Sequence, residues 1–211
     1  MFKKVALALL VGMVFSVAAS AQTADVYWVN YFINNTTSTA NPLSTTANDE
    51  FVFIINPGVQ GAPINPSTGA VSSAGNLCAN IYVFDTSQEM TECCSCSLTP
   101  NALRTLSVKL NLTANPMTGV VPATGVIKIV STAAAGGCNA GTISAANIIP
   151  NLRAWGTHQQ TVAGATATAT TETDFQASSL SPAEEAYLPV ACEFASYLGS
   201  GRGICSCSTP S

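Results

Sequence analysis

Apolar and polar positions along the chain follow two periods. The first, of two residues, recurs from Asp25 to about Gln176; the second, helical, occurs once near the C-terminus. "DVYWVNYFI" (residues 25–33) and "EFVFIIN" (50–56) are dense in β-branched and aromatic residues and predict strands covered on both faces. A polar loop, 34–48, separates them, and Pro57-Gly58 opens a long Gly/Pro/Ser loop to Asn76. "NLCANIYVFDTSQEMTECCSC" predicts a hairpin about Asp85-Thr86-Ser87-Gln88, with Phe84 opposite Glu89 and Asn80 opposite Cys93. From Leu106 the pattern alternates: Leu106, Val108, Leu110 and Leu112 share one face of a half-exposed strand. "GVIKIVST" (125–132), "NLRAWGTHQQ" (151–160) and "ATATATTETDFQ" (165–176) supply further strands.

The helix is marked by Ser181-Pro182-Ala183-Glu184, a capping box with proline at the first helical position. Tyr187, Val190 or Ala191, Phe194 and Leu198 then recur at helical spacing, and Gly199 follows as a stop, giving a helix over about 181–198. These recurring positions, Val190 or Ala191 included, form the expected apolar stripe, and Pro189 is expected to kink or divide the helix near Leu188. Several short strands and one late helix predict a mainly β fold: an antiparallel β-sandwich with one C-terminal α-helix. The succession "INPG", "IYVFD", "LTPNALRTLSV", "GVIKIV" suits an immunoglobulin-like strand order, an analogy of fold alone.

Residues 1–21 change the picture by setting the compartment. Lys3 and Lys4, an apolar run over 5–17 and Ala19-Ser20-Ala21 read as a secretory signal peptide cleaved between Ala21 and Gln22. No later stretch has the length of a transmembrane helix, so the mature chain is expected to have no membrane span. Residues 22–211 then form a single domain, secreted, periplasmic or at the cell surface. The basic residues after the signal, Arg104, Lys109, Lys128, Arg153 and Arg202, face 11 acids, a balance that excludes nucleic acid as a partner.

In an exported chain, an even count of 8 cysteines predicts a disulfide-stapled framework of Cys78, Cys93, Cys94, Cys96, Cys138, Cys192, Cys205 and Cys207 with no free thiol. Strand parity puts Cys94 and Cys96 on one face and Cys93 on the other. Cys94 and Cys96 are expected to meet Cys205 and Cys207, and the predicted register favours Cys78 with Cys93, leaving Cys138 with Cys192. Two rival readings use the same residues. A zinc site would take Cys93, Cys96, Cys205 and Cys207, but the Cys-x-Cys spacing of the last two is less usual and the compartment removes free thiolates. A redox pair at Cys93 and Cys96 needs a helix N-terminus, and this pair ends a strand. No cofactor or metal is expected.

Few other residues suggest chemistry. His158, the only histidine, is a candidate base for a hydroxyl nucleophile, without a G-x-S-x-G elbow. Glu184-Glu185 and Glu172-x-Asp174 are candidate acid pairs, better read as a helix N-terminus and a polar strand face. Gly199 to Gly203 follows a helix and so reads as a flexible cap delivering Cys205 and Cys207, not as a phosphate loop. Tyr27, Trp28, Tyr31 and Phe32 read as core in preference to a sugar-stacking platform. Asn34, Asn35 and Asn111 head N-x-[ST] triplets.

The segments "NLCANIYVFDTSQEMTECCSC", "LTPNALRTLSV", "GVIKIVST", "LRAWGTH" and "LGSGRGICSC" resemble a group of small exported bacterial proteins of unknown function. The resemblance covers most of the chain from about Phe51. It implies a secreted bacterial module with the cysteines as framework, and carries over no catalytic residue. The leading expectation is a non-enzymatic β-sandwich for binding, adhesion or extracellular assembly. Its partner would be an extracellular protein, a glycan or a second copy, met through a free strand edge. An extracellular hydrolase and a cysteine-based metal module stand as alternatives.

Overall fold

Two antiparallel sheets and one helix build the molecule, and the helix lies on the outer face of one sheet. The computed structural model describes residues 25–34, 49–62, 64–70, 72–161 and 168–208. The signal segment, its cleavage point Ala21–Gln22 and Asn35 lie outside these residues. The strands are β1 (Tyr27–Ile33), β2 (Phe51–Ile55), β3 (Leu77–Asp85), β4 (Met90–Leu98), β5 (Leu103–Ser107), β6 (Thr124–Ala133), β7 (Arg153–Thr161), β8 (Thr168–Asp174) and β9 (Gln176–Ala177). The helix α1 spans Pro182–Leu198. One sheet runs β4-β3-β6-β1-β9 and the other β5-β2-β7-β8. Between them lie Trp28, Phe32, Val52, Ile54, Ile81, Leu106, Ile127 and Ile129, all buried. A second apolar cluster, including Tyr82, Met90, Cys93, Val130, Leu188 and Cys192, fills the space under α1. β3 is therefore covered on both faces, and only its last residue is less than buried.

β1 and β2 are less enclosed than their composition suggests. Tyr31 and Ile33 of β1 are exposed, and β2 alternates between buried and half-buried positions. The alternation after Leu106 also does not continue as a strand. β5 stops at Ser107, and Val108–Leu112 form one π-helical turn. Side chains take over the backbone bonding there. Ser107 Oγ accepts from Leu110 N at 2.8 Å, Asn111 Oδ1 from Ser107 N at 2.8 Å, and Asp49 from Lys109 N at 3.1 Å.

The β3–β4 hairpin has a different register from the one its sequence suggests. Asp85 Oδ1 accepts from Ser87 N and Glu89 N at 2.8 and 3.0 Å, and Asp85 N donates to Glu89 O at 3.0 Å. The loop therefore closes on Glu89 with Gln88 at φ +68°. An irregularity between Val83 and Phe84 adds a second step, so Tyr82, not Asn80, lies opposite Cys93. From Glu92 onward the net slip of two residues leaves side chains on their expected faces, whereas Met90, slipped by one, turns to the face of Tyr82 and Phe84.

α1 is one continuous helix despite Pro189. Ser181 Oγ caps it by accepting from Glu184 N at 3.2 Å. Leu188 and Ala195 pack on the body on either side of the proline, and the Cys93–Cys192 bond fixes the segment beyond it, so the missing N–H does not divide the element. Its buried face is Leu188, Cys192 and Ala195; of the expected stripe, Tyr187, Val190, Phe194 and Leu198 are exposed and Ala191 is half-buried.

Candidate functional site

The cysteines form four bridges: Cys78–Cys138, Cys93–Cys192, Cys94–Cys205 and Cys96–Cys207, with no free thiol. The expected link of both tail cysteines to Cys94 and Cys96 is present. The expected Cys78–Cys93 and Cys138–Cys192 pairs are not. With Tyr82 opposite Cys93, Cys78 stands four residues along the strand, roughly 13 Å away and beyond disulfide reach. Each instead bonds a segment that covers its own face, the loop after β6 for Cys78 and α1 for Cys93.

The two Cys-Ser-Cys segments lie side by side, joined just ahead of each by one isolated parallel β-bridge. Cys93 N donates to Gly203 O at 3.0 Å and Cys205 N to Cys93 O at 3.1 Å, and Cys93 pairs with Ile204. Residues two apart on each segment share a face, so two bridges form side by side. The sulfurs of Cys94, Cys96 and Cys207 lie within 4.8 Å of one another. That closeness would suit a soft metal only as free thiolates, and here every sulfur is in an S–S bond. The tail also covers the outer edge of β4 at Cys93. β5, β8 and β9 are the other sheet edges, and β8 carries the exposed acids Glu172 and Asp174.

His158 sits between the sheets at the opposite side. Its Nδ1 lies 3.2 Å from Glu50 Oε2 and its Nε2 2.7 Å from Thr173 Oγ1. Both ring nitrogens thus have a partner, the carboxylate on one side and the threonine hydroxyl on the other. Asn30 Nδ2 donates to the same Thr173 oxygen at 3.1 Å, and the Tyr31 ring stacks on the imidazole with centroids 4.1 Å apart. Glu50 also accepts from Ile33 N at 2.9 Å and Gln159 N at 3.3 Å. Carboxylate, imidazole and hydroxyl are in line, but His158 is only 2% exposed and each of its nitrogens is engaged. The cluster ties β1, β7 and β8 to the start of β2. Sequence spacing gave no sign of Glu50, which lies 108 residues from His158.

The remaining candidates separate. Glu184 pairs with Lys128 and accepts from Tyr27 OH at 3.4 Å, whereas Glu172 and Asp174 lie on the edge strand β8. Burial, with the Glu184 charge beside it, pushes the Tyr27 phenol well above its usual range. Tyr27, Trp28 and Phe32 are core, leaving Tyr31 as the one exposed aromatic of that group. Asn34 and Asn111 are buried with their amides donating to Thr113 Oγ1 and Ser208 O, so neither offers a glycan site. The Gly199–Gly203 turn leads the chain from α1 to the tail, and a Cβ at Gly203 would meet Ala195 O at 2.8 Å.

Glu92 is a site that the sequence reading passed over. It is fully buried, its Oε1 accepts from Asn115 N at 2.8 Å, and Oε2 lacks a protein partner. Burial pushes its carboxyl up to about 8, against the lowering effect of the Asn115 N–H. Strand parity was the available signal, because Glu92 shares the inward face of Cys94 and Cys96.

Five of the exposed large apolar side chains are on α1. Tyr187, Val190, Phe194, Tyr197 and Leu198 are between 47% and 84% exposed. Beside them runs a groove of about 390 Å³, with Met90, Met117, Tyr187, Val190 and Phe194 in its walls. Tyr187 separates it from a second groove of about 350 Å³, where Lys128 stands 4.5 Å over the Phe84 ring. Among the described residues no helix is long and apolar enough to cross a membrane. Comparison with known proteins leaves the fold without a named relative: no family model, curated protein or solved structure matches the chain.

Proposed function

We propose that this chain is an exported, non-enzymatic binding module, secreted or held at a bacterial cell surface, that acts in adhesion or extracellular assembly. The observation that carries the reading is the apolar stripe of α1, held outward while Cys93–Cys192 fastens the opposite face to the body. Ordinary surfaces scatter single apolar residues; a continuous aromatic and aliphatic stripe beside a groove marks a contact surface. Four disulfides fit an oxidising, non-cytoplasmic compartment. The resemblance to small exported bacterial proteins and the immunoglobulin-like reading of the sandwich agree with this role. Beads coated with the mature chain test it, by mutual clumping and by retention on glycan and cell surfaces. Retention or clumping that Phe194→Glu removes is expected; beads inert to one another and to every surface would overturn the proposal.

One observation favours a hydrolytic second reading, the alignment of Glu50, His158 and Thr173. Labelling of Thr173 by a fluorophosphonate, lost in His158→Gln, would support it, and an unlabelled native protein would remove it.

A further inference from the structure

α1 carries apolar side chains over a wider arc than the body covers. At 100° per residue, the stripe of Tyr187, Val190, Phe194, Tyr197 and Leu198 is centred about 135° from the buried face of Leu188, Cys192 and Ala195. From Tyr187 to Leu198 it runs roughly 16 Å along the helix. The five side chains present about 550 Å² to solvent. That is close to the largest patch of an ordinary monomer. Met117, in the groove wall, extends it toward the ~800 Å² per partner of a stable complex.

Charge selects the occupant. α1 itself bears Glu184, Glu185 and Glu193 and no basic residue, a poor match for an anionic lipid surface. The rim of the groove is asymmetric. The hairpin tip, with Asp85 and Glu89, flanks Tyr187 near the start of the helix. Arg202 lies past its end, against Gly119 of the loop that carries Met117, and has no ion-pair partner among the described residues. A second copy laid antiparallel on the stripe meets it with the same apolar side chains. It also brings each acidic tip to the other copy's Arg202 and opposes the two helix dipoles.

We infer that α1 is the interface of an antiparallel homodimer, related by a two-fold axis near Phe194, with Glu89 of each copy facing Arg202 of the other. This rests on the reading of α1 as a binding surface. Sedimentation equilibrium of the oxidised mature chain, across a hundredfold range of concentration, is the test. The native chain should dimerise. Phe194→Glu, an exposed substitution whose fold is checked by near-ultraviolet circular dichroism, should weaken dimerisation about 100-fold. Arg202→Glu should weaken it about tenfold, and Glu89→Arg added to Arg202→Glu should recover most of the loss. A monomer at every concentration, a dimer indifferent to Phe194→Glu, or a charge reversal without recovery overturns the inference. Retention of a monomer on other surfaces, or on neutral phosphatidylcholine vesicles, that Phe194→Glu abolishes would overturn self-association and leave the binding surface standing. Loss of both would remove both.

Discussion

Replacing Glu92 by glutamine should flatten the dependence of stability on pH. Glu92 is buried under the edge of the sandwich, with one carboxylate oxygen bonded to Asn115 N and the other without a protein partner. Desolvation raises its folded-state value to about 8, above the ordinary value of 4.5. Between those values the folded chain holds a proton that the unfolded chain has released. Stability from this group is therefore greatest below pH 4.5 and falls as pH rises through the window, by a little over 1 kcal/mol per pH unit. Across the whole window the loss has an upper bound of roughly 5 kcal/mol, and water entry or relaxation in the charged form reduces it. Glutamine keeps an acceptor for Asn115 N and removes the charge. Urea denaturation with the disulfides intact should give nearly equal stabilities for native and Glu92→Gln protein at pH 5. At pH 8.5 the variant should be ahead by about 2–4 kcal/mol. Asp49, whose carboxyl is also raised by burial, is common to both proteins and drops out of the difference. Parallel curves from pH 5 to 8.5 would refute the argument, because they would mean that Glu92 is ionised in the folded state without penalty.

Two further substitutions probe the staples and the inter-sheet joint. Cys94–Cys205 and Cys96–Cys207 each span 111 residues, but with one intact the other closes only a short ring. Removing Cys96–Cys207 by paired alanines should thus cost about 2 kcal/mol in urea denaturation, and removing both bridges about 5; a loss near 5 from the first alone would contradict this account. Glu50→Gln should lower stability by about 2–3 kcal/mol at pH 7, because the carboxylate accepts from Ile33 N, Gln159 N and His158 at once, and a loss below about 0.5 kcal/mol would show the cluster to be dispensable.

Local signals in the sequence located the strands, the Ser181 cap and the Cys-Ser-Cys pairing, since each depends on parity or on neighbours within a few residues. Parity also put Cys78 and Cys93 on the correct common face. Their partners depended on register, which turned on the Asp85 side chain closing a shorter loop and on the irregularity at Val83. Neither leaves a mark in the hydrophobic pattern. Val108–Leu112 failed for a similar reason: alternation describes a strand until Ser107, Asn111 and Asp49 capture the backbone groups. The Glu50–His158–Thr173 joint assembles from segments far apart in the chain, so spacing could not announce it. For α1 the pattern found the period and chose the wrong side, because a helix apolar around most of its circumference does not say which part the body will cover.

That choice of side is where the cysteines and the surface meet. A helix with so broad an apolar arc can lower its exposed area by rolling, which would bring Tyr187 and Phe194 against the sheet and turn Leu188 and Ala195 outward. Cys192 lies on the same face as Leu188 and Ala195, and its bond to Cys93 joins it to the middle of β4. A roll of about 100° would swing that side chain a full helical position away, farther than a disulfide spans. The tail enforces the same orientation from the other end. Gly203 packs against Ala195 and donates to Asn115 O at 2.7 Å, and Cys205 is bonded to Cys94 within two residues. The middle and the C-terminal end of the helix's inward face are therefore anchored to neighbouring residues of one strand. The bridges do more than restrict the unfolded chain: they fix the rotation of α1, and so keep its aromatic stripe facing solvent.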